Sequence, residues 1–172
     1  MISNKIQEAI NKQINAEFWS AYLYLAMSQY FESEGLPGFA NWFKIQFQEE
    51  QAHAEIFMNY LNSRGGRVVL EPIAEVPESW ESPLAAYQHT LTHEEKVTSM
   101  INDIYHLAVA EKDYATCNKL DWFVAEQVEE EETARGLIDQ LKMIGDNGLA
   151  LYTLNQELGS RTYTVPAPLA GK

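Results

Sequence analysis

Glu50-Gln51-Ala52-His53 puts a carboxylate and an imidazole one helical turn apart on the same face, the arrangement that dinuclear carboxylate metal sites take from a helix. One Glu-x-x-His is common by chance. It gains weight here because three further acids, Glu17, Glu94 and Glu130, interrupt otherwise apolar stripes elsewhere in the chain. The stripe around the first reads Ile10, Ile14, Glu17, Ala21, Tyr24. The second reads Phe43, Gln46, Glu50, His53, Phe57. The third is Leu91, Glu94, Thr98, Ile101, and the fourth Phe123, Gln127, Glu130, Ala134. Oxygen donors with one imidazole make a hard ligand set suited to a hard divalent cation.

Such residues meet only if long elements hold them at one depth. Helical periodicity covers about residues 4–34, 38–63, 83–112, 114–144 and 147–158, leaving a tail over 159–172. Ser3 or Asn4 can cap the first segment, Gly35-Leu36-Pro37-Gly38 breaks it, Gly65-Gly66 ends the second, and Ser82-Pro83 opens the third. The first-to-second and third-to-fourth joints are short, so each pair is expected to be an antiparallel hairpin. The 17 residues from Gly65 to Glu81 carry two prolines and no helical pattern. Extended, they reach at most about 56 Å, enough to run back along a helix of roughly 40 Å. The expectation is all-α: a four-helix bundle with one long crossover and a short fifth helix, as one domain over 1–172. Leu149, Leu151, Leu154 and Leu158 on that fifth helix have no place inside a closed bundle, which calls for a partner surface.

Depth then agrees. Glu17 lies 18 residues before Gly35 and Glu50 lies 15 after it, while Glu94 lies 19 before Asp113 and Glu130 lies 17 after it. In antiparallel pairs all four reach mid-bundle. Ionised carboxylates ~4 Å apart repel by about 4 kcal/mol per pair at an effective dielectric near 20. Four in one core must be protonated, hydrated or neutralised, and two divalent cations balance their charge with His53 neutral.

Composition narrows the partners. The chain has 12 basic and 25 acidic residues, for a net charge of −13, with 46% apolar and 12% aromatic residues. That field repels phosphate backbones and anionic membranes and favours cations, so neither nucleic acid nor membrane is expected as a partner. The lone Cys117 excludes an intrachain disulfide framework and a Cys-rich zinc or iron–sulfur site, and reads as a small helix residue. No apolar run approaches a membrane span, and the opening residues show no basic cluster leading into an apolar stretch, so a cytoplasmic location is the expectation.

The pattern Glu17, Tyr24, Glu49-Glu50, His53, Glu94, Trp122, Glu126-Gln127, Glu129-Glu130 resembles that of prokaryotic non-haem ferritins over nearly the whole chain. The resemblance implies iron storage with ferroxidase activity. Fe²⁺ would be oxidised by dioxygen or hydrogen peroxide at a di-iron centre and kept as a ferric mineral inside a 24-subunit shell. Glu17, Glu50 and His53 would hold the first iron and Glu50, Glu94 and Glu130 the second. Gln127 would line the centre, Tyr24 would stand beside the first iron, and Glu49, Glu126 and Glu129 with Glu130 would form a third iron site. Where bacterioferritins carry a second Glu-x-x-His this chain has Gln127-x-x-Glu130, and Gln51 stands where their haem-ligating Met follows the Glu, so no haem is expected. A passive metal-binding module, a structural helical bundle with accidental polar breaks and a di-iron oxygenase of organic substrates are the other readings, the last disfavoured by the missing second Glu-x-x-His.

The remaining acids and histidines read more plainly. Glu131 and Glu132 are a solvated helix face. His89, His93 and His106 fall off the ligand stripe and are read as surface or packing residues, and Trp122 as packing. Glu111, Asp113 and Asp121 are candidates for lining an ion entry channel.

Overall fold

A computed structural model describes residues 2–170. It has five helices in the order α1 (Asn4–Ser33), α2 (Pro37–Ser63), α3 (Pro83–Ala110), α4 (Tyr114–Ile144) and α5 (Gly148–Leu158), with no strand among the described residues. The helices start where side chains can receive their free amides. Ser3 Oγ accepts from the Ile6 amide, Ser82 Oγ from Ala85, Asp113 Oδ1 from Thr116, and Asn147 Oδ1 from Leu149 and Ala150, at 3.1–3.2 Å. α2 has no such cap of its own. Asn155 of α5 supplies one from a distance: its Oδ1 accepts from the amides of Gly38 at 2.8 Å and Phe39 at 3.3 Å. The fit needs Gly38, because a Cβ there would lie 1.6 Å from the Asn155 carbonyl oxygen.

α1 pairs with α2 and α3 with α4, and α1 also packs on α3. The α1–α2 joint turns through Gly35 at φ +73°. The crossover is extended and clamped along α1 by side chains at steps of four residues from Gln7 to Trp19, which keep to one helix face, and again by Tyr30. Gln7 Oε1 accepts from the Arg67 amide, and Asn11 bonds both the Val69 amide and the Arg67 carbonyl. Asn15 donates to the carbonyls of Glu71 and Pro72, Trp19 to that of Glu75, and Tyr30 to that of Trp80. These bonds satisfy backbone groups that a lone extended strand would leave to water.

The core is split in two along the bundle axis. Towards the α1–α2 turn lie Tyr24, Phe31, Phe39, Trp42, Phe43 and Tyr87. Their rings stack and cross at 4.9–6.2 Å. Towards the other end lie Ile6, Ile10, Ile14, Phe57, Ile101, Leu120 and Phe123. Glu17, Glu50, His53, Glu94, Gln127 and Glu130 occupy the middle.

The fifth helix corrects one expectation. Leu154 and Leu158 are buried within this chain, because α5 folds back onto the α2 N-terminus and joins the aromatic cluster. Leu149 and Tyr152, at 75% and 61% exposed, form the uncovered part.

Candidate metal centre

Each buried acid stands where its helix stripe meets the bundle axis. Glu17, Glu50 and Glu94 are 1–2% exposed and Glu130 8%. One ligand atom each from Glu17, Glu50 and His53 lies within 4.8 Å of the others. His53 Nδ1 is 3.5 Å from Glu50 Oε2. Glu17 Oε1 accepts from Gln13 Nε2 at 2.8 Å, whereas Glu17 Oε2 and His53 Nε2 are buried without a hydrogen-bond partner. Unmatched buried donors and acceptors are costly, and here two lie on side chains of one compact cluster. This donor set of carboxylates and one imidazole fits a hard divalent cation.

Glu94 and Glu130 close the other side, and their oxygens are turned onto neutral donors. Tyr24 Oη donates to Glu94 Oε1. Gln127 Nε2 reaches Glu94 Oε2 at 3.0 Å and the Glu94 carbonyl at 3.2 Å. Gln46 Nε2 donates to Glu130 Oε2 at 2.9 Å. Gln13 and Gln46 therefore support the acids, although neither stands out in the chain's periodic pattern. Gln46 sits on the buried stripe as a polar break, while Gln13 lies one position off it.

Electrostatics expresses the crowding. Burial, then the charge of Glu50, pushes the Glu17 carboxyl well above the ordinary range. Burial, then Glu94, does the same to Glu50. Burial raises Glu94 despite the bonds from Tyr24 and Gln127. Burial with the nearby Glu94 and Glu49 pushes Glu130 up to about 8. Burial and Glu94 also hold the Tyr24 phenol well above its usual value. Among the described residues Arg64 pairs with Asp113, Arg135 with Glu131 and Arg161 with Glu49, and no lysine or arginine pairs with the four buried glutamates.

Outside the buried group stand the three other acids singled out in the sequence. Glu126 Oε1 is 3.9 Å from His53 Nε2. Glu49 is partly buried and Glu129 exposed, and each of the two lies close enough to Glu126 to raise its carboxyl beyond the effect of burial. Glu131 is engaged, accepting from Thr98 at 2.7 Å and Arg135 at 3.0 Å. Trp122 crosses the His53 ring at 5.5 Å. His93 is buried, with Nε2 2.7 Å from Ser20 Oγ and its ring between Trp19 and Tyr24. Of the channel candidates, Asp113 is held by both guanidinium nitrogens of Arg64 at 3.0 Å, Asp121 accepts from Tyr105, and Glu111 from Ser3.

Fold and site together define a class: a crossover-linked helical bundle enclosing a carboxylate–imidazole cluster at mid-depth. The ferritin-like domain model matches residues 7–144. A bacterial non-heme ferritin of Bacteroides fragilis is 47% identical over 161 residues, covering 94% of this chain and all of that protein. One from Staphylococcus aureus is 38% identical over 163 residues, covering 95% and 98%. Among solved structures, an engineered closed form of the Archaeoglobus fulgidus ferritin superposes with a TM-score of 0.94 at 49% identity, covering 95% of this chain and 100% of that one. The open pore ferritin of the same archaeon gives 0.93 at 49% identity, covering 94% and 100%. The chain belongs to the ferritin family, and the resemblance read from its acids holds.

Proposed function

We propose that this protein, acting as a single domain, is an iron-storage ferroxidase. Fe²⁺ is its substrate, oxidised in pairs at the buried centre and kept as a ferric mineral inside a shell of 24 copies in the cytoplasm. The observation that carries the reading is the convergence of Glu17, Glu50 and His53 within 4.8 Å, with no lysine or arginine paired to the buried glutamates among the described residues. Four carboxylates ionise there only when cations enter.

In this reading Glu17, Glu50 and His53 hold the first iron, and Glu50, Glu94 and Glu130 the second, so that Glu50 bridges. The raised carboxyls give up their protons as iron arrives, which leaves two divalent charges against four negative ones. Each Fe²⁺ gives one electron. Dioxygen takes two electrons and two protons to become hydrogen peroxide, or hydrogen peroxide takes two and two to become water. Gln127 and Tyr24 steer Glu94 through the bonds described above, and Gln46 steers Glu130. Glu49, Glu126 and Glu129, with Glu130, provide a third iron site. A single imidazole among many carboxylates holds the oxidised product loosely, as suits a substrate in transit. Gln51, in place of a haem-ligating Met, supports a chain without haem. The exposed Leu149 and Tyr152 of α5 support burial against other copies.

The decisive test is anaerobic Fe²⁺ soaking of crystals, followed by oxygen uptake in solution. Two anomalous peaks among Glu17, Glu50, His53, Glu94 and Glu130, with oxygen consumed on Fe²⁺ addition, are expected. Binding without oxygen or peroxide consumption would leave a passive metal-binding module. Sedimentation of the assembled protein checks the count of 24.

A further inference from the structure

Beyond α5 the chain does not leave the bundle. It returns along α2, and its anchor is Arg161. Asn41 Nδ2 donates to the carbonyls of Leu158 at 3.0 Å and Arg161 at 3.1 Å. The Arg161 guanidinium lies over the Trp42 ring, 4.8 Å from its centre, and its Nη1 donates to the Trp42 carbonyl at 3.3 Å. Its Nη2 donates to Glu49 Oε2 at 2.8 Å. Past this point Tyr163, Val165 and Leu169 share a groove with Gln51, Ala52 and Glu55. The tail therefore follows α2 in the same direction as the helix, strapped across the flank that carries Glu49.

Glu49 neighbours the bridging Glu50 and belongs, in the function proposed above, to the third iron site. It is the one member of that site paired to a cation of the chain's own among the described residues. Glu126 faces the unpartnered His53 Nε2, and Glu129 is exposed. A guanidinium and a metal ion compete for the same carboxylate. The guanidinium is already there and is fixed by a ring face and a carbonyl besides.

We propose that Arg161 is a positioning residue, an internal counter-ion that holds Glu49 out of the third site, so that a cation fills that site only by displacing the guanidinium and loosening the C-terminal strap. The strap then keeps the third ion weakly held. An ion leaving the buried pair passes through without lodging, and the tail is ordered when the third site is empty and freed when it is full. This rests on the third-site reading and adds to it the group that sets its affinity.

The test uses the assembled protein and Zn²⁺, which cannot be oxidised. Zn²⁺ is titrated calorimetrically into wild type, Arg161→Gln, Arg161→Lys and Glu49→Gln, and its sites are located by anomalous diffraction. The buried pair should bind alike in wild type and both Arg161 variants. The third Zn²⁺ should bind roughly two- to fivefold more tightly in Arg161→Gln, the range expected for freeing a carboxylate from a partly exposed ion pair. Arg161→Lys should restore much of the wild-type weakness, which a purely structural loss would not do, and Glu49→Gln should abolish the third site. Hydrogen exchange supplies a measurement without mutation. Amides of residues 159–170 in wild type should exchange faster only after the third equivalent of Zn²⁺ per chain. A third site of unchanged or weakened affinity in Arg161→Gln, or a tail indifferent to Zn²⁺, overturns the proposal while the buried pair stands. Absence of Zn²⁺ from Glu17, Glu50 and His53 in wild type would overturn the parent function, and this inference with it.

Discussion

The end of the bundle where α2 meets α4 and the middle of the same bundle both carry carboxylates, and they are neutralised in opposite ways. At the end, Asp113 caps α4 and receives both arms of Arg64 at 3.0 Å. Burial alone would raise its carboxyl, but the bonds from Arg64 and Thr116 outweigh that and hold it below the ordinary range. Arg64 also donates to Tyr60, whose hydroxyl is 2.8 Å from Thr116 Oγ1, so the network closes on itself. In the middle, four glutamates lie deeper and have amides and a phenol for partners but, among the described residues, no guanidinium or ammonium. Where charge serves only the fold, the chain encodes its own counter-ion. The missing counter-ion at mid-bundle is the physical mark of a site completed by something from outside.

The largest separation between the two regions should come from one substitution in each. Glu50→Ala removes the bridging carboxylate and should lower the initial Fe²⁺ oxidation rate by more than about 100-fold, read by stopped-flow absorbance. Without metal the same variant should be as stable as the parent or more so, since a repelling buried acid is gone. Asp113→Ala should do the reverse. Losing a helix cap and stranding Arg64 should cost about 1–3 kcal/mol in denaturant unfolding, with oxidation little changed. If Asp113→Ala slowed oxidation as much as Glu50→Ala does, the two groups would not be distinct in kind.

Glu130→Ala sharpens the comparison within the centre itself. Zn²⁺ at the buried centre should fall from two ions to one per chain and the fast oxidation phase should disappear, while the assembly, sized by sedimentation, persists. Oxidation at the parent rate in this variant would remove Glu130 from the centre.

pH gives the next effect in size. A carboxyl whose folded pKa is raised binds its proton in the native state at pH values where the unfolded chain has lost it. Metal-free stability is therefore fully present below about pH 4.5 and falls as pH rises towards the folded value. For Glu130 that window runs from its ordinary 4.5 to about 8, with a slope of about 1.4 kcal/mol per pH unit from this group alone. Glu17, Glu50 and Glu94 shift in the same direction and steepen it. Asp113, with its lowered pKa, contributes the opposite sign, lost only as pH falls into the acid range. Denaturant midpoints between pH 5 and 8 should thus decline without metal and flatten or rise with saturating Zn²⁺, which binds the ionised forms. A metal-free midpoint that climbs across this range would mean that the buried acids are already ionised.

Much of this organisation was legible in the sequence because it rests on period and spacing. Four apolar stripes broken at matched distances from their turns gave the bundle and the depth of its acids, and a joint too long for a tight loop gave the crossover. Features that depend on contact between distant segments were not legible. Asn155 capping α2 is a bond across more than a hundred residues, and no local pattern marks it. His93, one position from a ligand candidate, gives the same periodic signal whether it packs between Trp19 and Tyr24 or faces water. Arg161 stands in a stretch without periodicity, where a lone basic residue reads as solubility. The burial of α5 was misjudged for the same reason: the apolar face was visible, but its docking onto α2 needed the Gly38 contact to be known.

The smallest expected effect tests the structural end alone. At the α3–α4 joint Lys112 takes φ 57°, in the left-handed region where a side chain crowds the backbone, and its neighbour Asp113 must then be delivered to Arg64. Lys112 is exposed, so replacement by glycine removes little packing. Relief of the left-handed conformation is worth about 1 kcal/mol, and the added freedom of glycine in the unfolded chain takes back roughly half of that. Lys112→Gly should therefore stabilise the metal-free protein by about 0.5 kcal/mol in denaturant unfolding, with Fe²⁺ oxidation unchanged. A variant of lower stability would mean that the lysine side chain, and not the turn geometry, holds this end together. Altered oxidation would mean that strain at the joint is felt at the centre, many turns away, and that the two regions are mechanically coupled.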